Sequence, residues 1–292
     1  MIVYANSSSG SSLNKSVMKK EALLVGINDY QSINDLQGCV NDVTNVRNIL
    51  KTFFGFSNNE IRVLTDNRAT KANILSRLEK MIGSAVKGDH LIFHFSGHGS
   101  QIRDREGDEL SDHMDELICP WDMNWDNGFI SDDTFRQILG NLKEGVKMEI
   151  LLDSCHSGTG TREILNFAGS SLPPDYRISR YVNPPADIEC RYQGEEDTMG
   201  RRRTFRDDAG QSLNHILWAG CRDNQTSADA VIDGTPNGAF TYYFCKHIRD
   251  SSGIISRADL CSRIRNSLKH NHYDQVPQLE CNERFRKENI FK

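Results

Sequence analysis

The chain has 292 residues, of which 37% are hydrophobic and 26% charged, with a formal net charge of −5. This length suffices for a sizeable core in one large domain or two small ones, and the acidic balance gives no electrostatic reason to expect nucleic acid or a membrane as partner. Eight cysteines without a C-x-x-C pair argue against a zinc ribbon. With no basic-then-apolar leader and no membrane-length apolar run, they point to a reduced, cytoplasmic protein.

Residues 1–18 are rich in Ser and Asn and are expected to form a poorly ordered tail. A regular alternation follows. "EALLVGI" (21–27) reads as a strand, and "CVNDVTNVRNILKTFF" (39–54) sets Val40, Val43, Val46, Ile49 and Leu50 at helical spacing. "EIRVLTD" (60–66) is a strand, and "KANILSRLEKMIGSAV" (71–86) a helix with Thr70 as N-cap. "HLIFHFS" (90–96) and "KMEILLD" (147–153) are further strands, separated by a short helix, "DDTFRQIL" (132–139), which Ser131 would cap. Beyond them, "HILWAGC" (215–221) reads as a strand. "GAFTYYFCKHIRD" (238–250) and "RADLCSRIRNSL" (257–268) read as helices, the second capped by Ser256. Strands alternating with helices predict an α/β fold, with a mostly parallel sheet covered on both faces. Residues 162–212, with two Pro pairs and little periodicity, read as an insertion between a large block (19–161) and a smaller one (213–292). Both blocks are expected to feed one sheet, giving a single domain over 19–292.

Two strands end on reactive residues. "LIFHFSGHGSQ" runs into Ser96-Gly97-His98-Gly99, and "EILLDSCHSG" into Cys155-His156-Ser157-Gly158. Ligands of open parallel sheets bind beyond the carboxyl ends of the strands, so His98 and Cys155 on neighbouring strands would share a crevice. Cysteine is already partly thiolate at neutral pH, and a histidine within reach supplies the general acid for a leaving amine. The adjacent His156 is a poor partner, because successive residues of an extended segment face opposite ways. The pattern alone also allows Cys155 to be a small buried hydrophobe.

"FHFSGHGSQ" and "LLDSCHSG", with "ALLVGINDY", "LQGCVNDV", "DEL…CPWD…ISDD" and "GCRDNQTSADA" in the same order, resemble the motifs of the metacaspases, caspase-like cysteine peptidases, over residues 20–250. The resemblance implies a caspase-like fold, a monomer, and hydrolysis of peptide bonds after Arg or Lys through a thioester. In that reading Cys155 is the nucleophile and His98 the general acid/base, with the backbone amides of Cys155 and Gly99 as oxyanion donors. Asp42, Ser96 and Asp153 match pocket positions and Asp223 is a candidate contact; paired carboxylates would favour a cationic side chain and repel Asp.

Asp115, Asp132 and Asp133 match positions that bind Ca²⁺ in calcium-activated relatives, and carboxylates suit that hard cation. Seven residues after Cys155, however, Arg162 stands where several relatives carry a further Asp. On the residues alone, Asp132 and Asp133 simply open a helix. The basic run "GRRRTFRDD" (200–208) offers Arg201, Arg202, Arg203 and Arg206 as self-processing sites, with Arg162 and Lys143 as secondary ones. Three alternatives remain at this point: a caspase-fold peptidase with a different pocket, a catalytically silent scaffold, and a metal site of Cys155, His156 and His98.

Overall fold

The structure, a computed structural model, describes residues 18–103, 114–155, 176–191, 215–222 and 225–292. Its elements in chain order are β1 (Lys20–Gly26), α1 (Cys39–Phe54), β2 (Ile61–Thr65), α2 (Lys71–Ser84), β3 (His90–Ser96), β4 (Gly99–Arg103), β5 (Met114–Ile118), β6 (Ile130–Ser131), α3 (Asp132–Leu139) and β7 (Lys147–Asp153). They continue with β8 (Arg177–Ser179), α4 (Ala186–Arg191), β9 (His215–Ala219), β10 (Ala228–Ile232), β11 (Thr235–Gly238), α5 (Ala239–Asp250), α6 (Arg257–His270), β12 (Gln278–Glu280) and α7 (Glu283–Lys287).

Six strands form the central sheet in the order β12-β9-β7-β3-β1-β2. Every pairing is parallel except β12 with β9. Both faces of the sheet are apolar because both are covered. Leu91, Phe93 and Phe95 of β3 join Ile74, Leu78, Met81, Phe135 and Ile138 from α2 and α3 in one core. Ile92, one position out of phase, joins Val46, Leu50, Phe240, Phe244, Leu260 and Ile264 from α1, α5 and α6 in the other. The period of two along a strand thus divides one apolar run between two cores.

Local signals set the helix starts. The hydroxyls of Thr70, Ser131 and Ser256 accept from the amides of Asn73, Thr134 and Asp259 as N-caps, each contributing about 1 kcal/mol. Asp132 and Asp133 do open α3, where the helix dipole favours them. Among the described residues no helix is long and apolar enough to cross a membrane.

Two small antiparallel sheets, β4-β5-β6 and β11-β10-β8, accompany the central one. Neither is apparent from periodicity. The second takes in β8, which with α4 lies inside 162–212, the stretch read as an insertion. Within the sheet order the chain passes from β1 to β2 on one side and returns to β3 on the other, which places a switch point at the carboxyl ends of β1 and β3.

Candidate active site

β3 and β7 run parallel with Ser96 opposite Asp153, and the Gly97 amide donates to the Asp153 carbonyl at 3.4 Å. The chain segments carrying His98 and Cys155 therefore leave the sheet side by side. At position 99 a Cβ would lie 2.0 Å from the Cys155 carbonyl oxygen, so only glycine lets the two backbones approach this closely.

Cys155 is fully buried. Its Sγ accepts from the Ser227 amide at 2.6 Å and lies 3.2 Å from the Ser227 carbonyl, with the Ser179 hydroxyl at 4.0 Å. His98 is held from two sides by the loop after β1. Its backbone amide donates to the Tyr30 hydroxyl at 2.8 Å, and its ring sits 5.1 Å from the Tyr30 ring. Its Nε2 lies 2.8 Å from the Asn34 carbonyl oxygen. A carbonyl only accepts, so Nε2 carries the hydrogen and Nδ1 keeps the free lone pair. That Nδ1 is buried and has no partner among the described residues. Burial holds the imidazole at about 4, so at neutral pH it is a neutral base.

The pocket beside this pair is built from five separate stretches and is filled by the chain itself. The Arg180 guanidinium is completely buried. Nη2 bonds Asp42 at 2.9 Å and Asp229 at 3.1 Å; Nη1 bonds the Ser96 hydroxyl at 2.8 Å and the Asp153 carbonyl at 3.1 Å, with the Asp153 carboxylate at 3.4 Å. Asp153 is pinned in turn by the Ser227 hydroxyl at 2.5 Å and by the amide and hydroxyl of Thr241 at 3.0 and 2.7 Å. Asp42 accepts from the Gly238 amide and from Ser96. A side chain at 238 would strike the guanidinium, Asp42 and Asp153 together, so that glycine is a wall of the pocket. Three carboxylates facing one cation in a dry site cannot all ionise cheaply. Burial accordingly pushes Asp42 up to about 8 and raises Asp229, against the opposing pull of Arg180.

The backbone on either side of Arg180 is bound as well. β8 pairs antiparallel with β10, Ser179 lying opposite Ala228, and the Arg180 amide donates to the Ser227 carbonyl at 3.1 Å. The Arg180 carbonyl accepts from the Gly99 amide at 2.9 Å, and the Val182 amide returns a bond to the Gly99 carbonyl at 3.0 Å. The Ser100 hydroxyl closes on the Val182 carbonyl at 2.6 Å.

Residues 20–162 match the family described as metacaspase, peptidase C14 domain. Metacaspase-1 of Pyricularia oryzae is 30% identical over 94% of this chain and 74% of its own length, and Metacaspase-1 of Ajellomyces capsulatus is 33% identical over 90% and 80%. The chain belongs to the metacaspases. That membership makes it a cysteine peptidase acting on protein substrates. The crystal structure of protein GSU0716 from Geobacter sulfurreducens superposes with a TM-score of 0.66 at 24% identity, covering 94% of this metacaspase and 98% of that chain, which shows the same fold.

The structure places Asp42, Ser96 and Asp153 around the Arg180 guanidinium, and Gly99, next to His98, against the backbone of Cys155. Asp229, Ser227, Tyr30, Asn34 and Arg180 were not singled out in advance. Asp229 carried a signal, being an acid within the strand-forming run "ADAVI". Asp223, His156, Arg162, Arg201, Arg202, Arg203 and Arg206 lie outside the described residues. Lys143 bonds the carbonyls of Gly83 and Ala85 at the end of α2.

Asp115 lies on β5, and Asp132 and Asp133 lie at the start of α3. Arg136 already bonds Asp133 at 2.5 Å and Asp132 at 3.2 Å. Among the described residues no three His, Cys, Asp or Glu side chains converge as a metal cage. Arg136 thus occupies part of two of these three carboxylates, while Asp132 Oδ1 is buried without a hydrogen-bond partner among the described residues. Burial raises Asp132 to about 7, with Arg136 pulling the other way.

Proposed function

We propose that this metacaspase is an endopeptidase that cleaves after Arg or Lys. One observation carries the reading: a guanidinium sits fully buried among Asp42, Asp153 and Asp229 while the carbonyl of the same residue bonds the Gly99 amide beside Cys155. Three acids around one site favour a cation and repel an acidic side chain. Cys155 attacks the carbonyl carbon after the basic residue, and His98 Nδ1 takes the thiol proton and hands it to the leaving amine. The Gly99 amide, with that of Cys155, stabilises the oxyanion. Water then hydrolyses the thioester.

The same reading includes self-processing within the 162–212 linker, where Arg201, Arg202, Arg203 and Arg206 are candidates, and a monomeric cytoplasmic enzyme. Calcium enters this reading as an activating input implied by the resemblance, and no step of the chemistry depends on it. The deciding assay is hydrolysis of fluorogenic peptides with Arg, Lys or Asp at P1, by wild type and Cys155→Ala, with and without Ca²⁺. Turnover of the Arg and Lys peptides alone, lost in Cys155→Ala, is expected. Preference for Asp would refute the pocket, and no turnover under any condition would favour a silent scaffold.

A further inference from the structure

The geometry points to the Arg180–Tyr181 peptide bond as the first substrate of this enzyme, bound and cut in cis, with Arg180 closing the pocket to other substrates until that cut is made. The inference rests on the reading above and identifies the residue on which self-processing begins.

Arg180 is placed as the residue before a scissile bond would be. Its side chain fills the acidic pocket, and its carbonyl oxygen accepts from the Gly99 amide. Its amide donates to the Ser227 carbonyl, and the three residues before it form β8 against β10. On the other side Tyr181 bridges Gly99, and Val182 is bonded at both its amide and its carbonyl. The segment is an extended peptide gripped on both sides of one carbonyl, the β-augmentation by which edge strands bind peptides. A loop merely packed on the surface would not need three buried carboxylates for its arginine. That arginine also has its Nε buried without a partner among the described residues, a cost the pocket contacts must outweigh.

In the reaction, the Cys155 Sγ–H bond gives its proton to His98 Nδ1 as sulfur bonds the Arg180 carbonyl carbon. The Arg180–Tyr181 C–N bond then breaks, and the same proton passes to the Tyr181 nitrogen. Water adds to the thioester, its proton travels by His98 back to sulfur, and the products are an Arg180 carboxylate and a Tyr181 amino terminus. One water is consumed and no oxidant is needed. Release of Arg180 then has to break only the short β8 pairing and the pocket contacts.

The test uses the full chain as wild type, Cys155→Ala, Arg180→Gln and Arg180→Lys, followed by intact mass and N-terminal sequencing. Wild type should yield a fragment beginning YVNPPAD, at a rate independent of protein concentration. Cys155→Ala should stay whole at that bond, Arg180→Gln should lose this cut, and Arg180→Lys should keep it. A tethered occupant acts at an effective concentration on the order of millimolar, so a peptide at ~10 µM with equal affinity is outcompeted about a hundredfold. Wild type should therefore hydrolyse an Arg-P1 peptide only after a lag, and Arg180→Gln without one. A wild type that turns over the peptide while its 180–181 bond stays intact would overturn the proposal, as would cutting whose rate scales with concentration. If neither wild type nor Arg180→Gln turns over the peptide, the peptidase reading itself fails. Wild-type sequencing and Arg180→Lys keep the test decisive should Arg180→Gln not fold.

Discussion

His98 Nε2 stands 2.8 Å from the carbonyl oxygen of Asn34, and this contact fixes which nitrogen can act as base. Asn34 contributes through its backbone, so no substitution of its side chain removes the bond. The loop after β1 therefore belongs to the catalytic apparatus as much as the strand ends do. Replacing His98 by Ala should lower kcat for an Arg-P1 peptide about 10²–10⁴-fold, the usual contribution of a positioned acid/base. KM should change much less. Equal losses in both would mean that His98 only shapes the site.

Tyr30 is a positioning residue. Its hydroxyl accepts from the buried His98 amide and its ring backs the imidazole. Tyr30→Phe leaves that amide without an acceptor, at about 1–3 kcal/mol. The expected result is a lowered denaturation midpoint together with a fall in kcat at nearly constant KM. A midpoint loss with an unaltered kcat would show that the hydroxyl supports the fold alone.

The pocket acids are not equivalent. Burial pushes Asp42 up to about 8 against the pull of Arg180, so Asp42→Asn removes less charge than loss of an ordinary carboxylate would. Asp153 is gripped by two donors from Thr241 and one from Ser227, and an amide there would face donors with a donor. Asp153→Asn should therefore cost more in kcat/KM for Arg-P1 peptides. Loss of a charge-assisted bond of about 1.5–3 kcal/mol corresponds to roughly 10–100-fold. Steady-state kinetics of the two variants at pH 7 decides it; equal losses would contradict the ranking.

Burial holds His94, like His98, at about 4, below the ordinary value near ~6.5. Between those pH values the unfolded chain binds a proton on each that the folded chain does not. Their contribution to stability is thus full above about 6.5 and lost as pH falls through about 4. Asp42 has the opposite sign: its contribution is full below about 4 and lost as pH rises through about 8. A wild-type curve mixes the two, so the difference between wild type and His94→Gln isolates the histidine. Urea titrations should show that difference moving against wild type by up to roughly 3 kcal/mol between pH 7 and pH 4. A difference independent of pH would refute the assignment.

Much of the fold was legible because the strands and helices that build the two cores carry their own period. Cys39–Phe54 has one apolar helical face, and His90–Ser96 and Lys147–Asp153 are apolar runs of strand length bounded by polar residues. The hydroxyl caps at Thr70, Ser131 and Ser256 were equally readable. β8 and β11 were not, since strands of three and four residues are too short to show a period. His98 and Cys155 stood out because each lies two residues beyond the end of a strong strand, His98 between two glycines and Cys155 three residues before one. Arg180 was hidden: it follows a polar segment and precedes a Pro pair, and nothing local says that it returns to acids at 42, 153 and 229. Asp229 was hidden for a similar reason, since only the last three residues of "GCRDNQTSADA" belong to strand β10 and nothing local shows that they do.

Ser227 touches both the Cys155 sulfur and the pocket. Its amide and carbonyl bracket the Cys155 sulfur, the same carbonyl receives the Arg180 amide, and its hydroxyl joins Asp153 and Gln275. Seating Arg180 and settling the thiol therefore draw on the same carbonyl oxygen and are thermodynamically linked. Whatever a bound arginine does to the preferred state of the sulfur, the state of the sulfur returns to the affinity for arginine by an equal factor. In this enzyme, recognition and readiness to react form a single equilibrium read at one serine.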